Sequence, residues 1–177
     1  MEWNTAFSHR QQGFVNEIIE FGAVKLDDSL HPIGAYQQFV NTKLTRKLTS
    51  KVESLTHLTL EELRAGVRFP QALEEFGRFV GKDTVLLTWS TTDIRVLLEN
   101  CAAFTSWETI PFLERYADLQ WYVQEALGLG HRNQMGLGAA AEQLELSVDG
   151  MELHRALDDS LLSAEILRRC YRPALLE

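Results

Sequence analysis

Three short segments of the chain carry the residues whose types could perform chemistry. They are Glu2–Asn4 at the start, Trp89–Asp93 in the middle and His154–Asp159 near the end. Carboxylate oxygens are the ligands that hard divalent cations such as Mg²⁺ prefer. A histidine side chain has an ordinary pKa of about 6.5 and can accept a proton near neutral pH. Together, these residue types could hold metal ions and activate a water molecule.

Each segment also has a purely structural interpretation. Asp93 follows an apolar run at the start of a predicted helix, where aspartate is common for local reasons. His154 and Asp158 stand four residues apart and could form a surface pair. Asp158 and Asp159 could belong to a solvated helix face. Taken singly, none of the three segments identifies a site.

The apolar pattern predicts the elements that must position these residues. Strands are predicted at residues 17–26, 35–40 and 84–89, the first two as a hairpin and the third as a strand buried on both faces. Helices are predicted from Thr59, at residues 69–80, from Thr92, at residues 135–146 and at about 153–169. Residues 116–121 could be another strand, whereas the first 16 residues show no clear period. This order favours an α/β fold with helices on a mixed sheet, in one domain over residues 1–177.

The spacing within the third segment predicts where His154 lies. A step of five residues turns about 500° along an α-helix, so two side chains at this spacing diverge by ~140°. His154 and Asp159 could not then reach one cleft from the same helix. We therefore expect His154 on the loop or first turn before the helix, at the rim of the cleft. Asp158 is the alternative to Asp159 as a ligand.

Length and composition exclude several classes of protein. The chain has 177 residues, of which 45% are hydrophobic and 24% are charged, as in ordinary globular domains. No window approaches the ~18–20 continuous apolar residues of a membrane span. The start of the chain lacks the basic and apolar regions of a signal peptide. The two cysteines, Cys101 and Cys170, lack metal-ligand spacing, so we expect a cytoplasmic protein without a membrane partner.

The formal net charge of −8 is unlike that of a general nucleic-acid coat protein. One basic stretch departs from this balance. No acidic residue occurs between Asp28 and Glu53, and Lys43, Arg46, Lys47 and Lys51 fall in that gap. The stretch could be a solvated face or could contact a phosphate backbone.

In this order, the three segments resemble motifs of the DEDDh 3′–5′ exonucleases of the ribonuclease H-like fold. Residues 17–27 are similar to that family's second strand, and residues 89–95 (Trp-Ser-Thr-Thr-Asp-Ile-Arg) to its second exonuclease motif. His154–Asp159 is similar to the third motif, a histidine followed five residues later by an aspartate. Glu2-Trp3-Asn4 is similar to the end of the first motif. That motif reads Asp-Leu-Glu-Trp-Asn in the most similar subgroup, the histone-mRNA and interfering-RNA exonucleases with their bacterial sporulation-linked members.

The resemblance implies a hydrolase that cleaves phosphodiester bonds at the 3′ end of single-stranded RNA or DNA with two Mg²⁺ or Mn²⁺ ions. It implies that Glu2, Asp93 and Asp159 bind the metal ions and that His154 is the general base. Trp3 and Asn4 match positions that contact the terminal nucleotide in the family. Trp3 could stack on a base, or it could be a partly buried core aromatic.

The sequence departs from the family pattern in the first motif. The family's aspartate two residues before the glutamate would precede Met1, as would the apolar strand that carries it. This strand would lie between the strands at residues 17–26 and 84–89, where two rows of backbone groups would otherwise be unpaired. Residues 1–7 are too polar and too short to fill that place well. We therefore expect a gap in the sheet or a direct, shifted pairing of the two strands, and a coding sequence that starts upstream of Met1.

Two functions from different classes follow from these observations. The first is the metal-dependent exonuclease. The alternative is a catalytically impaired exonuclease fold that serves as a binding or regulatory module, which the missing aspartate would favour. The residues do not distinguish RNA from DNA as substrate, and they indicate no oligomeric state.

Overall fold

The computed structural model describes residues 1–130 and 133–172, which contain five strands in two sheets. The larger sheet is antiparallel, with β1 (Glu2–Ser8) and β3 (Pro32–Phe39) on either side of β2 (Gly13–Leu26). The smaller sheet is a parallel pair, β4 (Leu86–Thr88) and β5 (Tyr116–Asp118). The predicted hairpin of residues 17–26 and 35–40 is confirmed, although both of its strands start earlier than expected.

Seven helices surround the sheets in the described part of the chain. They are α1 (Ser50–Thr56), α2 (Leu60–Ala65), α3 (Phe69–Val80), α4 (Thr92–Phe104), α5 (Leu119–Ala126), α6 (Leu137–Gln143) and α7 (Ala156–Cys170), with a 3₁₀ turn at Pro111–Leu113. Every predicted helix is present, and the capping box of Thr59 and Glu62 forms at the start of α2. The possible strand at residues 116–121 ends at Asp118, whose carboxylate accepts a hydrogen bond from the Trp121 N–H and so starts α5. No described helix is long and apolar enough to cross a membrane; the cytoplasmic location stays a prediction.

The structure corrects the interpretation of the first residues. They form β1, which pairs with β2 from Glu2 opposite Glu20 to Ser8 opposite Gly13, with a shift of register between Glu2 and Trp3. Its inner face is polar, because Asn4 and Ser8 are both buried. Because the buried side chains of β1 are polar and form hydrogen bonds, the strand shows no alternation of apolar residues. The sequence pattern therefore did not predict it.

The prediction for residues 84–89 is also wrong in length and burial. Only three of these residues are in β4, and Leu87 is 38% exposed. Among the described residues, β4 does not pair directly with β2. The other expected outcome, a gap between these two strands, is observed. β1 covers β2 only as far as Glu20, and β4 pairs with β5. The gap lies beside the second half of β2.

Packing against β2 positions both helices that carry candidate acids. A core of Ile18, Phe21 and buried residues of α3 and α4 fills one side of the sheet. On the other side, α7 approaches so closely that a Cβ atom on Gly22 would lie 2.2 Å from the carbonyl carbon of Ala156. Glycine at this position is therefore a condition for the seating of α7, and hence for the location of Asp159.

Asn100 fastens α4 to β2. It is fully buried, and its carboxamide accepts a hydrogen bond from the Ile18 N–H at 3.0 Å and donates to the Asn16 and Val96 carbonyl oxygens at 2.7 and 2.8 Å. We expect Asn100→Ala to lower the free energy of unfolding by about 2–3 kcal/mol, because it leaves buried backbone groups without partners. Urea denaturation measures this change. Exposed Gln143→Ala is the control, for which we expect a change of about 0.5 kcal/mol or less. A loss below about 1 kcal/mol for Asn100→Ala would contradict this account.

Candidate active site

Asp93 and the start of β1 meet at one end of the larger sheet. Asp93 lies in the first turn of α4, and its Oδ1 is 3.0 Å from the α-amino nitrogen of Met1. The side chain of Asp93 is only 18% exposed, so most of it is shielded from solvent. Two groups separated by 92 positions in the chain are thus in direct contact, and Glu2 follows immediately in β1.

Electrostatic coupling shows that three predicted acids share this region. Burial lowers the pKa of the Met1 ammonium, but the carboxylates of Asp93, Glu2 and Asp159 outweigh burial, so that this pKa is raised. Burial also raises the pKa of Glu2 to about 8; the Met1 ammonium opposes this effect, whereas Asp159, Glu20 and Asp93 add to it. The three carboxylates are thus close enough to repel one another in a poorly solvated place. A cation is the natural counterpart of such an arrangement.

Asp159 joins the group from α7. Burial raises its pKa, and the hydrogen bond from the backbone N–H of His154 to its Oδ1, at 3.1 Å, opposes that rise. Asp158, the alternative ligand, instead accepts a hydrogen bond from the Glu152 N–H at 2.9 Å. The structure thus couples Asp159 to Glu2 and ties Asp158, also in the first turn of α7, to the backbone of the preceding loop.

His154 lies outside the helix, where the spacing of the segment predicts it. α7 begins at Ala156, and His154 occupies the preceding turn with a left-handed φ of 69° and an exposed side chain. Its backbone N–H is bound to Asp159 Oδ1, and His154 opposes the rise in the pKa of that carboxyl group. His154 is therefore at the rim of the acidic group, free to meet a ligand from solvent.

Glu20 is a residue of the site that the sequence analysis missed. It is fully buried in β2 and accepts hydrogen bonds from the Ala156 N–H at 3.1 Å, the Arg155 guanidinium at 3.2 and 3.3 Å and the Gln37 amide at 2.6 Å. It thereby holds the start of α7, which carries Asp159 in its first turn and follows directly on the turn with His154. The signal was available, because an acid inside an apolar strand needs buried partners.

Trp3 and Asn4, the predicted nucleotide contacts, have different surroundings. Trp3 is half-buried and packs against the core that the sheet forms with α3 and α4. Asn4 is buried, and its carboxamide binds Thr45 Oγ1, the Lys47 carbonyl oxygen and the Thr49 N–H at 2.9–3.3 Å. The side chain of Asn4 is therefore used within the protein, where it ties the loop at residues 45–49 to β1.

The donor chemistry of the acidic group fits a hard divalent cation, because it consists of carboxylate oxygens. Among residues 1–130 and 133–172, no three His, Cys, Asp or Glu side chains are arranged closely enough to hold a metal ion as they stand. In this structure the Asp93 carboxylate faces the Met1 ammonium. Metal binding would therefore require Asp93 to exchange this partner for a cation.

Comparisons with known proteins identify the family of this chain. The family profile described as exonuclease matches residues 8–167. The probable 3′–5′ exonuclease KapD of Bacillus subtilis is 30% identical over 159 residues, which cover 89% of this chain and 74% of KapD. The PolC-type DNA polymerase III of Clostridium perfringens is 26% identical over 168 residues, which are 95% of this chain but 11% of the polymerase.

Solved structures give the same result. A 3′-exonuclease that recognises the 3′ end of a histone mRNA stem-loop matches this chain with a TM-score of 0.79 and 26% identity. The match covers 94% of this chain and 77% of that exonuclease's chain. The nuclease domain of 3′hExo, a DEDDh family member bound to rAMP, has a TM-score of 0.78 and 25% identity, with coverage of 95% and 88%. Escherichia coli exonuclease I in complex with an oligonucleotide, at 15% identity and a TM-score of 0.68, shares the fold. The chain therefore belongs to the exonuclease family, among the DEDDh 3′–5′ exonucleases of the ribonuclease H-like fold, and is similar to the histone-mRNA branch.

Proposed function

We propose that this protein is a metal-dependent exonuclease that releases nucleoside monophosphates from the 3′ end of single-stranded RNA or DNA. The observation that carries the proposal is the convergence of Glu2, Asp93 and Asp159 at one end of the sheet, with His154 at the rim. The KapD relative is named as a probable 3′–5′ exonuclease, and structural neighbours bind stem-loop RNA or oligonucleotides.

In this proposal, Glu2, Asp93 and Asp159 hold two divalent cations, Mg²⁺ or Mn²⁺. Such ions, when bound, would lower the pKa of the attacking water and stabilise charge on the scissile phosphate. The carboxylates of Glu2 and Asp159 are poorly solvated and repel each other, so that a cation would relieve an existing electrostatic cost.

His154 would accept a proton from the attacking water. Its side chain is exposed, while its backbone N–H is fixed on Asp159 Oδ1 at 3.1 Å. This arrangement would bring a base to the edge of the acidic group without burying it. The hydrogen bond from the Ala156 N–H at the start of α7 to Glu20 would keep His154 in this position during the reaction.

Trp3 and Asn4 would contribute to the terminal nucleotide's site in different ways. Trp3 is half-buried, so part of its ring could stack on a base. Asn4 would act by positioning the neighbouring loop, since its carboxamide is already bound within the protein.

The proposal predicts release of nucleoside monophosphates from a 5′-labelled single-stranded oligonucleotide in Mn²⁺ or Mg²⁺. A ladder of products shortened from the 3′ end is expected, and the chelator EDTA should abolish it. Asp93→Asn should lower the rate by about tenfold or more, because even supporting groups around a metal contribute 10–100-fold to its affinity. Exposed Asp149→Asn is the control. Activity that survives EDTA would contradict the metal-dependent mechanism.

A longer chain tests the first motif directly. A residue placed before Met1 would be joined through the nitrogen that lies 3.0 Å from Asp93 Oδ1, so its carboxylate could reach Asp93 and Glu2. We expect an amino-terminal extension by an apolar strand that ends in Asp to raise metal-dependent activity by more than about tenfold. The same extension ending in Asn is the matched control. Equal activity of the two extended proteins would show that this position binds no metal ion.

A further inference from the structure

A basic pocket lies beside the loop that follows β3. Its volume is about 240 Å³, and its walls come from this loop, from α2 and from the residue before α3. The basic residues that line it are Lys43, Arg46, Arg64 and Arg68, with Asn41 and Thr45 between them. Lys43 and Arg46 belong to the basic stretch seen in the sequence, whereas Arg64 and Arg68 join it only in the fold.

The walls of this basic pocket are fixed before any ligand binds. The buried carboxylate of Glu17 accepts hydrogen bonds from the backbone N–H groups of residues 43–45 at 2.6–3.1 Å. On the opposite wall, Asn41 donates its side-chain N–H to the Arg64 carbonyl oxygen at 3.0 Å and its backbone N–H to the Val67 carbonyl oxygen at 2.8 Å. A ligand would thus meet a preorganised cavity.

The cationic groups of the pocket are available for a ligand. All four basic residues are exposed, and no carboxylate of the described residues forms an ion pair with them. In a chain with a net charge of −8, four basic side chains that line one cavity, without an ion pair among the described residues, are a local excess of positive charge. Anions would concentrate here although the molecule as a whole repels them.

The pocket adjoins the candidate active site through β1. Asn4, whose side chain binds Thr45 and the Lys47 carbonyl oxygen, lies two residues beyond Glu2, or roughly 7 Å along a strand. The first turn of α7 is also near, since the charges of Arg155 and Glu62 in α2 influence each other. A strand whose 3′ end reaches Glu2 could therefore continue over the pocket.

We propose that this basic pocket binds backbone phosphates of the single-stranded substrate, upstream of the bond that is cleaved. The inference rests on the proposed function, because an enzyme that works from the 3′ end has only the 5′ part of its substrate outside the active site. A volume of about 240 Å³ is below the roughly 300–1,000 Å³ of a small-molecule site, which favours a phosphate group of a longer chain over a whole cofactor.

The test is the affinity for a 5′-labelled 12-nucleotide single strand, measured by fluorescence anisotropy in EDTA so that no cleavage is needed. In the double variant Arg64→Ala and Arg68→Ala, two phosphate contacts would be lost. The slope of log K against log salt should then become shallower by about 1.4, which is a loss of roughly 25-fold in affinity at 0.1 M salt. Arg64→Lys and Arg68→Lys together should retain most of the binding, because the charge remains.

The matched control is the double variant Arg78→Ala and Lys82→Ala, which removes two exposed cations at the far end of α3. Phe69 and Val80 are about 16 Å apart along that helix, so this change alters net charge equally but spares the pocket. An equal loss of affinity in both double variants, or a loss below twofold in the pocket variant, would overturn the proposal. So would binding of inorganic phosphate or a mononucleotide to the pocket without competition from the 12-nucleotide strand.

Metal-dependent cleavage of a dinucleotide separates this inference from the proposed function. A dinucleotide has no backbone upstream of its one phosphodiester bond, so it tests the acidic group alone. If the unaltered protein cleaves it and the pocket variant binds the longer strand normally, only the pocket proposal fails. If the pocket variant loses affinity for the longer strand and the unaltered protein shows no cleavage in Mg²⁺ or Mn²⁺, the exonuclease proposal fails and the binding site stands.

Discussion

Replacing His154 should slow metal-dependent hydrolysis at the 3′ end roughly 10²–10⁴-fold, the usual contribution of a general base. The preferred variant is His154→Asn, because His154 has a φ of 69° and asparagine tolerates the left-handed region better than alanine does. The side chain is exposed, so the fold loses little when the imidazole is removed. Initial rates of nucleotide release measure the effect, and thermal unfolding verifies that the variant is folded.

The chain offers a matched control for this variant. His57 is also exposed and also has a left-handed φ, 54°, at the end of α1. His57→Asn makes the same chemical change in the same backbone conformation, away from the carboxylates, and should leave the rate unchanged within about twofold. Unimpaired hydrolysis by His154→Asn would show that another group accepts the proton.

Removal of the Glu20 side chain should lower the free energy of unfolding by about 3–5 kcal/mol, the usual cost of breaking a buried ion pair. Glu20→Ala leaves the Arg155 guanidinium, whose side chain is only 17% exposed, without its buried partner. It also removes the acceptor of the Ala156 N–H at the start of α7. We therefore expect Glu20→Ala to lower both the urea midpoint and the catalytic rate, since Asp159 lies in the first turn of α7 and His154 lies just before it.

The surface of α7 provides the comparison for Glu20. Glu165 forms ion pairs with Arg168 and Arg169 at 2.9 and 3.3 Å, but all three side chains are at least 36% exposed. Glu165→Ala should therefore cost about 1 kcal/mol or less. If Glu20→Ala lowers the free energy of unfolding by no more than Glu165→Ala does, the contacts of Glu20 do not hold α7 on the sheet.

The site residues that the sequence predicts best are those whose position depends on local signals. Asp93 lies at a helix start, because Thr92 and the apolar residues after it favour a helix there. His154 lies just before α7, because the five-residue spacing excludes a shared helix face with Asp159. Both inferences use only neighbouring residues, and such local preferences survive folding whenever the tertiary structure does not oppose them.

Contacts between distant parts of the chain decided the rest. β1 has polar inner residues, so only its pairing with β2 and the partners of Asn4 reveal it as a strand. The predicted strand at residues 84–89 shortened to three residues, since it pairs with β5 rather than with the larger sheet.

Contacts between distant parts of the chain also form the Glu20–Arg155 ion pair and the basic pocket. Glu20 and Arg155 are 135 positions apart, and their ion pair exists only because α7 crosses β2 at Gly22. Arg64 and Arg68 meet Lys43 and Arg46 because Asn41 fastens the loop after β3 to α2. The sequence by itself determined which residues could do chemistry and which of them begin helices, since those properties are local. The tertiary structure decided which acids meet and which cations share a pocket, because buried polar groups must find partners wherever the chain brings them.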